Sequence, residues 1–367
     1  MLPDSGIMRK RWLVNSIFVA AACIITGWLI LQTRKTGEEE QIHQPEGVAV
    51  FCEGEEISAL YLAEDGSLWI GGRDGVKRLD PETGEVIGYV AEDLELIYAA
   101  EICRSYDGSV WIGHNQGVSV LYPEGTREDY GEPFLTGGRV NTILCLGQEV
   151  LVGTMEGANR FVWEEDGHWQ VVEQYSRENG LLADPVNVMA ADGDALWFGS
   201  YLANQPGGIS ILREENGKKN WQYLTVEEGL AHPYINAILV LEEKVLVASG
   251  QLTAGGLNVL REFPEGYAIE DTFGVEDGIP GEKVRWLYQD SEGHLWITTE
   301  SDGLILCKDD VLEHPLKGIC LTWKEGLSDN EIKKIAESEQ YFFLAGRYGL
   351  TRIEKETVRA LLEGVGE

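Results

Sequence analysis

Positive charge is scarce in this chain: 29 lysines and arginines stand against 62 aspartates and glutamates, a formal net charge of −33 over 367 residues. Nucleic-acid binding needs clustered Lys and Arg to displace counterions from phosphate, so the balance argues against it. Histidine is equally thin: there are 6, and none falls in H-E-x-x-H or another zinc-ligand spacing. No G-x-S-x-G elbow and no P-loop occur. Asp192-Gly193-Asp194 sits in a turn and lacks the spacing of a calcium loop. The 6 cysteines contain no C-x-x-C pair. We therefore expect neither metal nor cofactor.

Long apolar runs are equally rare. Trp12 to Leu31 carries no charge; twenty residues at about 1.5 Å rise cross a hydrocarbon layer of roughly 30 Å. Arg9, Lys10 and Arg11 precede the run, and Arg34 and Lys35 follow it. That weak asymmetry places the N-terminus inside. The expected order is a cytoplasmic segment (1–11), a transmembrane helix (12–31), a tether (32–47), an extracytoplasmic domain (48–353) and a tail or short helix (354–367). A cleaved signal peptide is the rival reading, since Ala20-Ala21-Ala22 supplies small residues before Cys23. A cut there would leave apolar Ile24 to Leu31 as a mature N-terminus, which favours the uncleaved anchor.

Glycine (44) and tryptophan (11) are plentiful, and they recur together. SLWIGG at 67–72 is followed by SVWIGH at 109–114, EVLVGT at 149–154, ALWFGS at 195–200, KVLVAS at 244–249, HLWITT at 294–299 and YFFLAG at 341–346. The aligned third letters, Trp69, Trp111, Leu151, Trp197, Leu246, Trp296 and Phe343, are spaced by 42, 40, 46, 49, 50 and 47 residues. That is the length of a four-stranded propeller blade. A short apolar strand precedes each hexamer, and a third strand such as GVKRL or GLNVL follows it. The motif Trp side chains are expected to fill the space between blades. The seventh repeat lacks a fourth strand, whereas VAVFCEG at 48–54 aligns with the fourth strands of other repeats. Residues 48–52 should therefore complete the last blade and close an all-β, seven-bladed propeller of four-stranded antiparallel blades.

The pattern Glu64-Asp65-Gly66-Ser67-Leu68-Trp69-Ile70-Gly71, with near copies at Tyr106–Gly113 and Ser291–Thr298, resembles the two-component regulator propeller repeat. The third, fifth and seventh units lack its Trp. In that family such propellers are usually extracytoplasmic sensor modules, often ahead of an immunoglobulin-like domain, a second membrane span and a histidine kinase, and many respond to carbohydrate fragments. The sequence in hand ends some fourteen residues after the last expected strand, so the resemblance carries over as a sensing or binding propeller. The virginiamycin-lyase type of propeller is a more distant likeness.

In a propeller the turns between second and third strands gather with the inter-blade connections at one mouth of the channel. On that basis the candidate ligand-binding residues are Arg73, His114, Asn115, Tyr201, Asn204, Gln251, Arg285, Glu300, Arg347 and Tyr348. Asn141, Asn187, Tyr234 and Asn236 join them from the connections. Longer insertions in the fourth and fifth repeats, SYLANQPGG and SGQLTAGG, would wall a pocket. Amides, Arg and Tyr suit an uncharged polar or weakly acidic ligand such as an oligosaccharide; an envelope protein is the other partner considered. The competing function is a lyase or hydrolase, with His114 beside Glu156 or Glu300 as an acid–base pair. His168 and His314 are expected at the surface. Cys103 and Cys145 read as buried apolar residues; Cys307 and Cys320 could face each other across neighbouring strands, and whether they are free or joined in a disulfide is left open by the sequence.

Overall fold

A computed structural model of the chain describes residues 45–90, 96–165, 167–201 and 206–364. The stretch Trp12–Leu31 and Asn204 lie outside them. Among the described residues no helix is long and apolar enough to cross a membrane.

The described chain forms seven four-stranded antiparallel sheets. In the first blade the strands are Ile57–Leu62, Leu68–Gly72, Gly75–Leu79 and Val86–Tyr89, hydrogen-bonded in that order. The innermost strands of the others begin at Glu101, Val140, Val186, Ile235, Val284 and Ile332. Each repeated hexamer is a second strand, and alternate side chains along it enter the two flanking interfaces. Trp111, Trp197 and Trp296 are fully buried. Trp111 lies edge-on to Phe161 and Trp169 of the next blade, with ring centroids 5.0 and 5.2 Å apart. Trp197 meets Tyr267 at 4.5 Å, and Trp296 meets Phe342 at 4.9 Å. The indole N–H groups of Trp111 and Trp296 reach Ser109 Oγ and Asp290 Oδ2 at 3.2 and 3.0 Å, so most of the buried polar edge is paired. Where Trp is missing, Leu151, Leu246 and Phe343 take its place, also fully buried.

Glycine two residues after the Trp marks the closest approach of neighbouring blades. A Cβ on Gly113 would stand 2.5 Å from Val140 Cγ1, and one on Gly199 2.8 Å from Ile235 Cγ2. Here the absence of a side chain, not a special backbone angle, is what the position requires.

Closure follows the expected register. Val48–Phe51 pairs antiparallel with the strand Gly349–Glu354, Val48 opposite Ile353 and Phe51 opposite Leu350. Lys355–Glu363 is the expected short helix, burying Val358 and Leu362 against the core shared by the sixth and seventh blades.

Two expectations fail. SGQLTAGG is not a loop: strands Val245–Gln251 and Ala254–Phe263 pair to their ends, Gln251 opposite Ala254. Nor are Cys103 and Cys145 simply buried apolar residues. Cys307 and Cys320 are free, whereas Cys103 and Cys145 form a disulfide with Cα atoms 6.8 Å apart. Ile305, not Cys307, stands opposite Cys320, which leaves the two thiols diagonal. Cys103 and Cys145 occupy innermost strands of adjacent blades, a contact visible only once blades are stacked. His314 is exposed as expected, yet its ring hydrogen-bonds Asp277 and Asp271 at 2.7 and 2.9 Å and stacks on Phe273.

Deleting residues 48–52 removes the strand that pairs with Gly349–Glu354. Thermal melts should show a midpoint lower by at least several degrees, or no cooperative transition. An unchanged melting curve would contradict non-covalent closure.

Candidate functional site

The channel is built by an irregularity repeated around the ring. At the start of six innermost strands the pairing slips by one residue, leaving Ser58, Asn141, Asn187, Asn236, Arg285 and Lys333 out of register. A bulge re-aims the extra side chain, and these residues line the central channel. Three of them tie the ring together. The amide nitrogens of Asn141, Asn187 and Asn236 donate to the carbonyls of Val186, Ile235 and Val284 in the following blades at 3.0, 2.8 and 2.8 Å. The sequence carries this signal as V-N-T, V-N-V and I-N-A.

The connections entering these strands share a second device. Ser176, Thr225, Gly274 and Thr322 each donate a backbone N–H to the side chain three residues on: Asn179, Glu228, Asp277 and Glu325, at 2.7 to 2.9 Å. Glycine follows, at φ +105° for Gly229 and +96° for Gly326, where other residues are strained. The next residue, Leu181, Leu230, Ile279 or Leu327, is buried. The capped turn thus reverses the chain, and the apolar residue pins it.

Both loop sets do meet at one mouth. The N–H groups of Tyr98, Asn115 and Glu300 donate to the carbonyls of Arg73, Ile97 and Lys283 at 3.3, 3.3 and 3.1 Å, and that of Gly54 to Tyr348 at 2.9 Å. Each bond joins a turn after a second strand to an inter-blade connection.

Within this frame the candidate residues separate. Arg347 lies over the Tyr348 ring at 5.6 Å, and both are exposed. Arg347 Nη1 is 3.8 Å from Glu331 Oε2, whose other oxygen is 3.7 Å from Arg285 Nε. Tyr201 packs on Tyr234 at 4.9 Å, and Lys283 Nζ lies 5.9 Å from its ring. Lys283 in turn donates to Glu300 at 2.8 Å. Arg73 is exposed in its turn; the Lys333 hydrogen bond chiefly, with Arg347 and then Arg73 adding to it, holds the Glu56 carboxyl below its ordinary range. Asn115 is half-buried and Gln251 is a strand residue.

His114, at the mouth end of its strand, is buried. Its Nδ1 accepts the Gln116 N–H at 3.3 Å, and Nε2 lies 3.0 Å from Ser119 Oγ. A neutral ring accepting at Nδ1 carries its proton on Nε2, so it donates to Ser119, whose own hydroxyl goes to Asp129 at 2.7 Å. Burial pushes the His114 pKa down. His232 repeats the arrangement: Nδ1 accepts the Tyr234 N–H at 3.1 Å, and burial, then Lys283, lowers its pKa. Among the described residues no group of three His, Cys, Asp or Glu side chains could hold a metal ion.

Sequence reasoning named Arg285 but missed Lys333 and Lys334 beside the channel. Lys334 of the seventh blade donates to Glu101 of the second at 2.7 Å, past the intervening first blade, and lies 3.7 Å from the Trp286 ring. The signal was the repeat alignment, in which V-R-W and I-K-K occupy the place of V-N-T.

Residues 278–301 match the family model described as two component regulator propeller. That segment, with Arg285 and Trp296, is such a repeat, as the sequence pattern led us to expect. No curated protein matches the chain significantly in sequence. Among solved structures, the extracellular domain assigned to a hybrid two component system from B. thetaiotaomicron is similar at TM-score 0.68 and 16% identity, over 86% of this chain and 42% of that one. The chain thus spans about two fifths of that domain. Virginiamycin B lyase from Staphylococcus aureus is similar at 0.61 and 13% identity, over 84% of this chain and 98% of the lyase. YCF48 from Cyanidioschyzon merolae is similar at 0.61 and 13%, over 84% and 99%. At such identities the likeness is one of fold.

Lys334→Met leaves the Glu101 carboxylate half-buried without its partner and should destabilise by about 1–3 kcal/mol in chemical denaturation. Adding Glu101→Gln should recover much of that loss. Additive losses would mean the pair does not interact across the channel.

Proposed function

We propose that this chain is a sensing or scaffolding propeller, held at the outer face of a membrane through Trp12–Leu31, that takes an oligosaccharide or an envelope protein at its channel mouth. The observation carrying the reading is the convergence of connections and turns at one mouth, where Arg285, Arg347, Tyr201 and Tyr348 surround the channel. Aromatic faces and Arg forks are the groups that recognise sugars and carboxylates without chemistry. Similarity to an extracellular two component domain supports the placement outside. The Cys103–Cys145 disulfide supports it independently, because such bonds persist in oxidising compartments.

The lyase fold likeness keeps an enzymatic alternative in view. The histidine geometry weighs against it. His114 and His232 both use Nδ1 as an acceptor for backbone N–H, which leaves Nε2 protonated and unable to abstract a proton from a substrate.

Thermal-shift assays of the full chain against neutral and acidic oligosaccharides should raise the midpoint by several degrees for at least one glycan. Tyr201→Ala and Tyr348→Ala should reduce that shift, and mass spectrometry should find the glycan intact. Shifts that survive both substitutions would remove the mouth as the site, and cleaved glycan would favour the enzyme. Separately, alkylation of the denatured, unreduced full chain should modify four of its 6 cysteines, with all 6 modified after reduction. Six without reductant would count against the disulfide.

A further inference from the structure

The channel wall gathers the cations of a chain of net charge −33: Arg285, Lys333 and Lys334 line its cavity beside Glu101, with Glu56 and Glu331 as the further carboxylates next to Lys333 and Arg285. Two of the three cations are committed, Lys333 to Glu56 and Lys334 to Glu101. Arg285 is not. Its buried Nε–H has no hydrogen-bond acceptor, Glu331 Oε1 standing 3.7 Å away. Glu331 itself is held between two guanidiniums, 3.7 Å from Arg285 and 3.8 Å from Arg347, outside hydrogen-bond distance of either.

Other lining groups are similarly unmet. Trp286 keeps an unpartnered indole N–H, and Asn236, 4% exposed, an unpartnered Oδ1. These unpaired atoms are themselves closed off from the cavity, so what a ligand can reach is the remainder of the Arg285 guanidinium, whose side chain is 30% exposed. The cavity measures 80 Å³, the share of roughly two to three waters. That is room for a carboxylate and the carbon bearing it, not for a sugar ring.

We propose that the channel mouth receives the carboxylate of an acidic ligand, with the Arg285 guanidinium as the fork that reads it and the remainder of the ligand resting on the mouth. A planar fork matches the two carboxylate oxygens as a lysine does not. Low-dielectric channel walls strengthen the attraction over that of an exposed arginine, and the acidic surface elsewhere leaves this mouth as the point at which an anion is drawn in. The inference rests on the mouth-binding reading and narrows it from oligosaccharide to acidic saccharide.

The test compares D-galacturonate with D-galactose, which differ at one carboxylate, by calorimetric titration of the full chain at fixed ionic strength. The acid should bind at least tenfold tighter. Arg285→Gln should abolish that preference, Arg285→Lys should keep part of it, and Arg261→Gln, on the outer hairpin beside Glu270, should keep all of it. If Arg285→Gln fails to fold, the acid's advantage in the wild-type chain should still shrink as salt rises from about 50 to about 500 mM. Absence of binding by the acid, or a preference that survives Arg285→Gln, overturns the carboxylate site. Equal binding of both sugars, unchanged in Arg285→Gln, overturns it as well while leaving the mouth as a binding surface.

Discussion

Every other feature of this structure depends on each sheet burying both of its faces against its neighbours. A four-stranded blade alone would leave Trp111, Trp197 or Trp296 in water; stacked, each is fully buried against an aromatic ring of the next blade. The requirement propagates around the ring, because no blade can satisfy it alone. It also explains Gly113 and Gly199, where neighbouring blades approach too closely for a Cβ. It explains why the last sheet borrows Val48–Phe51: without that strand the seventh blade would be narrower than its neighbours and the ring would end in a free edge.

The same packing creates the channel and gives it its chemistry. Strands that lean together at the axis are bulged where they begin, and the extra residue has nowhere to point but inward. In the third, fourth and fifth blades that residue is Asn, and its amide nitrogen is used up in holding the next blade. In the sixth and seventh it is Arg285 or Lys333, long enough to carry charge past the backbone. One structural position thus serves as a fastener on one side of the ring and as a charged lining on the other. That division follows from side-chain length and hydrogen-bonding capacity.

Much of this was legible in the sequence. Repeat spacing fixes the number of sheets, and the alignment of VAVFCEG with other outer strands gives the closure to within a residue. The parts that could not be read depend on neighbours in space. Gln251 stands in a stretch that looks like an insertion, yet the hairpin simply runs on. His114 belongs by position to the mouth, but Ser119, two residues into the following strand, captures its ring. Cys103 and Cys145 are separated by 42 residues, whereas the aligned motif positions of their two blades are 40 apart. Cys103 stands opposite Trp111, but Cys145 stands opposite Val150, one residue off the aligned Leu151, so the two side chains leave facing sides of adjacent blades and meet between them. Lys334 and Glu101 lie at opposite ends of the repeat array and meet only because it is circular.

The closing strand sets an order for folding. Most contacts here are hairpins between consecutive strands, which form quickly because the loops they close are short. Val48–Phe51 is different: its partner begins at Gly349, some 300 residues downstream. Of the described strands, the first to leave the ribosome is therefore the last to pair. Throughout synthesis it is an apolar segment with unpaired backbone, open to pairing with other chains.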